Sequence, residues 1–156
     1  MKIANSVKIN VFVKGEENEG KIKNSLLDFF PFDLKKEKIE IKQSTATGFN
    51  EKEIKVFEVL LIKERHINMF LENLKNNLSK ETKELILKQA ESRTDDECNF
   101  FLRFSKDKLI NEKELWLTDQ GNCFHIKINI AAFPKKKENA LRIINLFFNS
   151  SMQPMI

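Results

Sequence analysis

The chain has only four glycines in 156 residues, too few to hide a glycine-rich phosphate loop. That excludes the nucleotide-binding turns in which backbone N–H groups cradle a phosphate. It has two cysteines, Cys98 and Cys123, with no Cys-x-x-Cys pair, which excludes the common zinc frameworks. Both cysteines sit in apolar alternating stretches and read as reduced core residues. No apolar run approaches the roughly 18 residues of a membrane span. The start, Met1 to Asn5, carries no apolar segment of the signal-peptide kind. The expectation is a cytoplasmic protein that does not meet the membrane. No histidine, serine or cysteine stands in a recognisable nucleophile setting. His66 reads as a residue of an exposed helix face.

Charge is plentiful instead. Asp, Glu, Lys and Arg make up 32% of the chain, against 41% hydrophobic residues, and the net charge is +4 with a pI near 9.0. So small an excess makes the placement of the charge more informative than its sum. A chain of this length accommodates one domain with a real core. Residues 1–148 read as that domain and 149–156 as a frayed tail.

The placement is clearest in two alternating stretches. From Cys98 to Lys108, the residues Cys98, Phe100, Leu102 and Phe104 point one way, and Phe101, Arg103 and Ser105 the other. From Asn122 to Ile130, the residues Phe124, Ile126, Ile128 and Ile130 point one way, and His125, Lys127 and Asn129 the other. Strand side chains change face at every residue, so each stretch offers an apolar face to a core and a basic, partly aromatic face outward. Val7 to Lys14 repeats the pattern, with Lys8, Asn10, Phe12 and Lys14 outward.

The remaining elements follow from periodicity. Ile22, Leu26, Phe29 and Phe30 recur at helical spacing up to Pro31. Lys38 to Lys42 predicts a short strand with Ile39 and Ile41 buried, and Ser44 to Lys52 a polar loop containing Gly48. Ile54 to Ile62 is nearly all apolar and predicts a central strand covered on both faces. Ile67, Phe70, Leu71, Leu74 and Leu78 form a helical stripe, and Ser79 is the N-cap of a following helix bearing Leu85, Ile86 and Ala90. Pro134 fits the first turn of a last helix whose apolar face is Ala140, Leu141, Ile144, Phe147 and Phe148. The order predicts an α+β fold, with a mixed, mostly antiparallel sheet and the helices packed on one face.

Lys8, Phe12, Lys14, Lys42, Phe101, Arg103, His125 and Lys127 then share the open face. Basic side chains neutralise phosphates and aromatic rings stack on unpaired bases. The same pattern also suits a solvated sheet face blunted by lysines. Lys135, Lys136, Lys137 and Arg142 mark the start of the last helix, where free N–H groups favour an anion but three lysines oppose the helix dipole. Glu16, Glu17, Asp95, Asp96 and Glu97 read as capping and turn residues; a metal-dependent nuclease needs carboxylates that converge on a cation. The RNA-recognition-motif signature is absent. The alternative is an interaction or assembly subunit that docks a partner, or a second copy of itself, on Phe12, Phe57 and Phe101.

The C-terminal half resembles the small archaeal RNA-binding proteins described as exosome-subunit-like. The resemblance is carried by Arg93 to Cys98, by Phe101 to Lys106, by Gly121 to Ile130, and by Ala132 to Lys137 leading into the last helix. The family shows a strand of the form Leu-Arg-x-Asp-Lys-Gln. Leu102, Arg103 and Lys106 match it, while Ser105 replaces the Asp and Asp107 the Gln. The first half is similar more loosely: Lys14 to Glu17 keeps the acid of the family's first turn, and only Gly48 represents its glycine loop. The resemblance implies a fold similar to that of the ribosomal protein that holds 5S RNA. It also implies RNA binding without catalysis, and association with RNA-processing proteins; from the motifs above, no metal or cofactor is expected. Residues expected to meet RNA are Lys14, Lys42, Phe101, Arg103, Lys106 and Lys127, with Lys135, Lys136, Lys137 and Arg142 catching backbone phosphate.

Overall fold

The computed structural model describes residues 2–47 and 52–149. Along the chain come β1 (Ala4–Val13), α1 (Glu19–Leu27), β2 (Ile41–Thr47), β3 (Glu53–Leu61), α2 (Glu64–Asn77), α3 (Lys80–Lys88), β4 (Asn99–Ser105), α4 (Lys106–Glu112), β5 (Cys123–Ile130) and α5 (Lys137–Asn149). The strands form one sheet in the order β2-β3-β1-β5-β4. Every neighbouring pair is antiparallel, so the expected mixed sheet is wholly antiparallel among the described residues.

Alternation decides which face is buried. Val7, Ile9, Val11 and Val13 of β1 and Ile126, Ile128 and Ile130 of β5 lie beneath the helices, with Phe100, Leu102 and Phe104 of β4. The stripe of α2 is buried as its spacing predicts, and α5 adds Ala140, Ile144, Phe147 and Phe148. Phenylalanines knit the layers: Phe29 lies 5.4 Å from Phe124 and 6.3 Å from Phe104, and Phe100 6.2 Å from Phe148, centroid to centroid. Burying each such ring contributes about 1.5–3 kcal/mol. Both cysteines are buried and free, and burial raises both thiols above their ordinary range. The caps are local: Asn18 Oδ1 accepts from Lys21 N at 3.1 Å, and Ser79 Oγ from Thr82 N at 3.1 Å.

Several expectations change. Residues 33–38 close into a turn, with Asp33 Oδ1 accepting from Lys35 N and Lys36 N and Lys38 at φ 58°. The second strand therefore starts at Ile41 and runs through the polar residues to Thr47, while Ile39 and Ile41 are only half-buried. The loop glycine Gly48 and the tail beyond Asn149 lie outside the described residues. β3 is covered on one face only: Phe57, Val59 and Leu61 are buried, whereas Leu60 and Ile62 are 47% and 69% exposed on the other. His66 is buried rather than on an open helix face; its ring lies 5.1 Å from that of Phe32. Leu85 is largely exposed. Pro134 follows a cis bond from Phe133 and precedes α5 by three residues, outside its first turn.

The largest departure is at Ser105. The strand expected to reach Lys108 stops there, because Ser105 Oγ accepts from Lys108 N at 3.3 Å and caps α4. Lys106 consequently turns inward and is 1% exposed. Its Nζ donates to the Phe12 carbonyl at 2.6 Å and to Glu17 Oε1 and Oε2 at 3.1 and 3.2 Å. Burial alone would raise the Glu17 carboxyl; the Lys14 N–H and the Lys106 ammonium outweigh it and hold it below its usual value. Lys106 is thus a clamp between β1, the following turn and α4. Breaking such a pair from one side costs about 3 kcal/mol or more. Lys106→Met is expected to lose that much in urea unfolding. Because the folded Glu17 value is depressed, its contribution is present above pH 4.5 and is lost as pH falls further. Glu17→Gln should lose less stability than wild type on that descent.

Candidate nucleic-acid interface

The register brings the outward residues into rows across the open face. One row crosses all five strands: Lys42, Glu58, Asn10, His125 and Arg103. At strand spacings near 4.8 Å it spans about 19 Å. The adjacent row reads Leu60, Lys8, Lys127 and Phe101. Phe12 stands 44% exposed opposite Val56, and Lys14 is exposed just past it at the end of β1.

Lys8 and Lys127 face each other directly across β1 and β5. Like charges in that position oppose pairing. Among the described residues neither forms an ion pair, and neither do Lys14, Lys42 or Arg103. Beside them the rings of Phe101 and His125 lie 5.6 Å apart, tilted by 31°. His125 is held below its usual pKa by burial first, and then by the charges of Arg103 and Lys127. Among the described residues the face therefore combines cations that form no ion pair with a half-buried aromatic pair.

One end of the face is closed by amides. Asn5 Nδ2 donates to Asn129 Oδ1 at 3.0 Å, Asn129 Nδ2 to Asn99 Oδ1 at 2.9 Å, and Asn99 Nδ2 to Asp95 Oδ2 at 3.2 Å. Asp95 also accepts from the Glu97 and Asn99 N–H groups. Burial would raise its carboxyl, but these bonds and the nearby Lys127 charge hold it low. At the outer edge, β4 is flanked by the segments at Arg93 and at 116–118: Phe101 N donates to the Arg93 carbonyl, and Thr118 N to the Arg103 carbonyl, each at 2.9 Å.

Of the expected RNA contacts, the structure gathers Lys42, Phe101, Arg103 and Lys127 on this face, with Lys14 at its rim. Lys106 is withdrawn from it by the clamp. Lys135 is ion-paired with Glu97 at 2.9 Å, so the acidic turn Asp95 to Glu97 stands between it and Lys127. Arg142 is exposed on α5, whose buried side packs on the helical face of the sheet, and Lys136 and Lys137 precede or begin that helix. The composite surface of sheet and lysine run is therefore not continuous. Phe57, expected among the docking aromatics, is 1% exposed under the helices, which removes it from that set. Arg93, whose side chain bonds Gln89 and Asp119, lies outside the alternating strands, and its nearness to the Arg103 strand is the one sequence signal that marks it. No cluster of three or more His, Cys, Asp or Glu forms among the described residues. Among them, also, no helix is long and apolar enough to cross a membrane.

Because His125 is kept neutral in the fold, its contribution to stability is full above pH 6.5 and is lost as pH drops below that value, where the unfolded chain takes up the proton. Urea midpoints measured between pH 7.5 and 5.5 are expected to fall in wild type and to fall less in His125→Gln.

A family model described as RNA binding matches residues 6–130. The chain is 28% identical over 141 residues to RNA-binding protein PAB1135 of Pyrococcus abyssi, covering 90% of this chain and 91% of that protein. Among solved structures it is similar to protein AF2318 from Archaeglobus fulgidus, assigned to DUF54, with a TM-score of 0.81, 27% identity and coverage of 94% of this chain and 99% of that one. It also shares the fold of Mth689, a DUF54 protein from Methanothermobacter thermautotrophicus, at a TM-score of 0.76 and 24% identity, covering 94% and 99%.

Proposed function

This chain belongs to the RNA-binding family whose model it matches, and from that premise we propose that RNA lies on the open face of the sheet. The observation that carries this is the facing Lys8–Lys127 pair, which forms no ion pair among the described residues, beside Arg103 and the Phe101–His125 rings. A polyanion relieves the repulsion between facing cations and releases its own counterions. The printed name of the Pyrococcus abyssi relative, an RNA-binding protein, supports the reading.

In this reading Arg103 forks onto phosphate or a base edge with its planar guanidinium. Lys8, Lys42, Lys127 and Lys14 supply charge, and Phe101 stacks. Lys135 to Lys137 and Arg142 are left out of the primary contact. The chain acts as a non-catalytic accessory factor in RNA processing; a link to the exosome rests on the family resemblance carried by Arg93 to Cys98 and Phe101 to Lys106.

The test is binding of labelled RNA across a salt series, with wild type and Arg103→Ala/Lys127→Ala. The double variant is expected to bind at least about tenfold more weakly. Its log–log salt slope should fall by about 0.7–0.9 per charge removed. Unchanged RNA affinity in the double variant would remove the face as the site. Salt-insensitive self-association would instead favour an assembly subunit that uses Phe12, Leu60 and Ile62, which stand exposed on or beside the same face.

A further inference from the structure

At the outer edge of β4, Gln89, Ser92, Arg93, Phe101, Arg103 and Asp119 surround a recess of about 360 Å³. Two guanidinium groups converge there on one acidic residue. Arg93 Nη2 donates to the Asp119 carboxylate at 3.2 Å, and Arg103 Nη1 to the Asp119 carbonyl at 3.3 Å. The two arginines differ in setting. The Arg93 side chain is 9% exposed and is aimed by a bond from its Nε to Gln89 Oε1 at 2.9 Å. The Asp119 side chain is 89% exposed at the tip of a turn. A fixed, nearly buried cation is thus matched by an anion that solvent reaches freely. Because the Asp119 carboxylate is open to solvent, water screens the contact and another anion can take its place on Arg93. Phe101 forms the wall of the recess, with His125 beyond it at 5.6 Å.

We propose that this recess is a subsite for one unpaired nucleotide of the RNA, with Asp119 holding the place of its phosphate. This rests on the reading of the open face as the RNA site. On binding, the phosphate displaces the Asp119 carboxylate from Arg93, and Arg103 turns from the Asp119 carbonyl to the same phosphate. Both arginines then donate to an acceptor with more oxygens and more charge than the one they leave. The adjoining base lies over Phe101. A paired base cannot reach that ring, so the subsite selects single strands, loops or ends over continuous duplex.

The experiment measures the binding of a labelled single-stranded RNA and of the matching duplex to the full chain at low salt. Asp119→Asn removes the competing charge from an exposed position. Glu64→Gln removes an equal charge from the exposed start of α2 and serves as the control. The expected result is a gain of about two- to fivefold for the single strand with Asp119→Asn, the reach of one surface ion pair. Glu64→Gln and the duplex should show no such gain, and Phe101→Ala should weaken the single strand more than the duplex. Equal gains from the two charge removals, or equal gains on single strand and duplex, would overturn the subsite. If Arg103→Ala/Lys127→Ala abolishes binding while Asp119→Asn changes nothing, the open face stands and the subsite falls. If wild type binds neither RNA, the reading of the face fails and the subsite with it.

Discussion

The pairing of β1 with β5 is the constraint on which the rest of this molecule depends. It holds Ile9 against Ile126 and Val7 against Ile128 under the helices, and by the same register it sets Lys8 against Lys127 in the open. Because the side-chain period of a strand is two, a slip by one residue would expose that core and bury the lysines. The hydrophobic faces exclude every odd slip, so the core keeps Lys8 and Lys127 on the open face, and the observed register sets them against each other. Stability and site are two sides of one ladder. The cost of facing the lysines is small beside the burial of the valines, isoleucines and phenylalanines that enforces it.

Around that ladder the molecule separates charges that hold it together from charges that remain available. Lys106, Arg65 and Lys135 each meet a carboxylate, respectively Glu17, Glu37 and Glu97. Among the described residues, Lys8, Lys42, Lys127 and Arg103 on the open face form no such pair. The amide ladder through Asn5, Asn129 and Asn99 bounds the face at one end, and the Arg93–Asp119 contact bounds it at the outer edge.

The alternating strands were legible because each has one apolar parity, and the helices α2 and α5 because their stripes are regular. The open-face positions of Phe101, Arg103, His125 and Lys127 followed from the same alternation. Lys106 did not, because alternation alone carried the strand through it. The cap at Ser105 changes the period from strand to helix at that residue, and a lysine expected outside becomes a buried clamp. Phe57 misled for a similar reason: in an almost wholly apolar strand, parity cannot say which face is covered until the pairing partners, here Val11 and Gln43, are known. The lysine run before α5 is plain in the sequence. Its separation from the sheet face depends on the Glu97 ion pair and on the side from which α5 packs, both of them tertiary facts. Arg93 was hidden because its partners, Gln89 and Asp119, lie on opposite sides of β4 in sequence.

The central claim is that RNA lies across the open face of the sheet. The most direct measurement is an amide chemical-shift map of the chain titrated with RNA. The account predicts shifts centred on Lys8, Asn10, Phe101, Arg103, His125 and Lys127. Shifts confined to α3, to α5 and to Lys135 through Arg142, with the β1 and β5 amides unmoved, would contradict it.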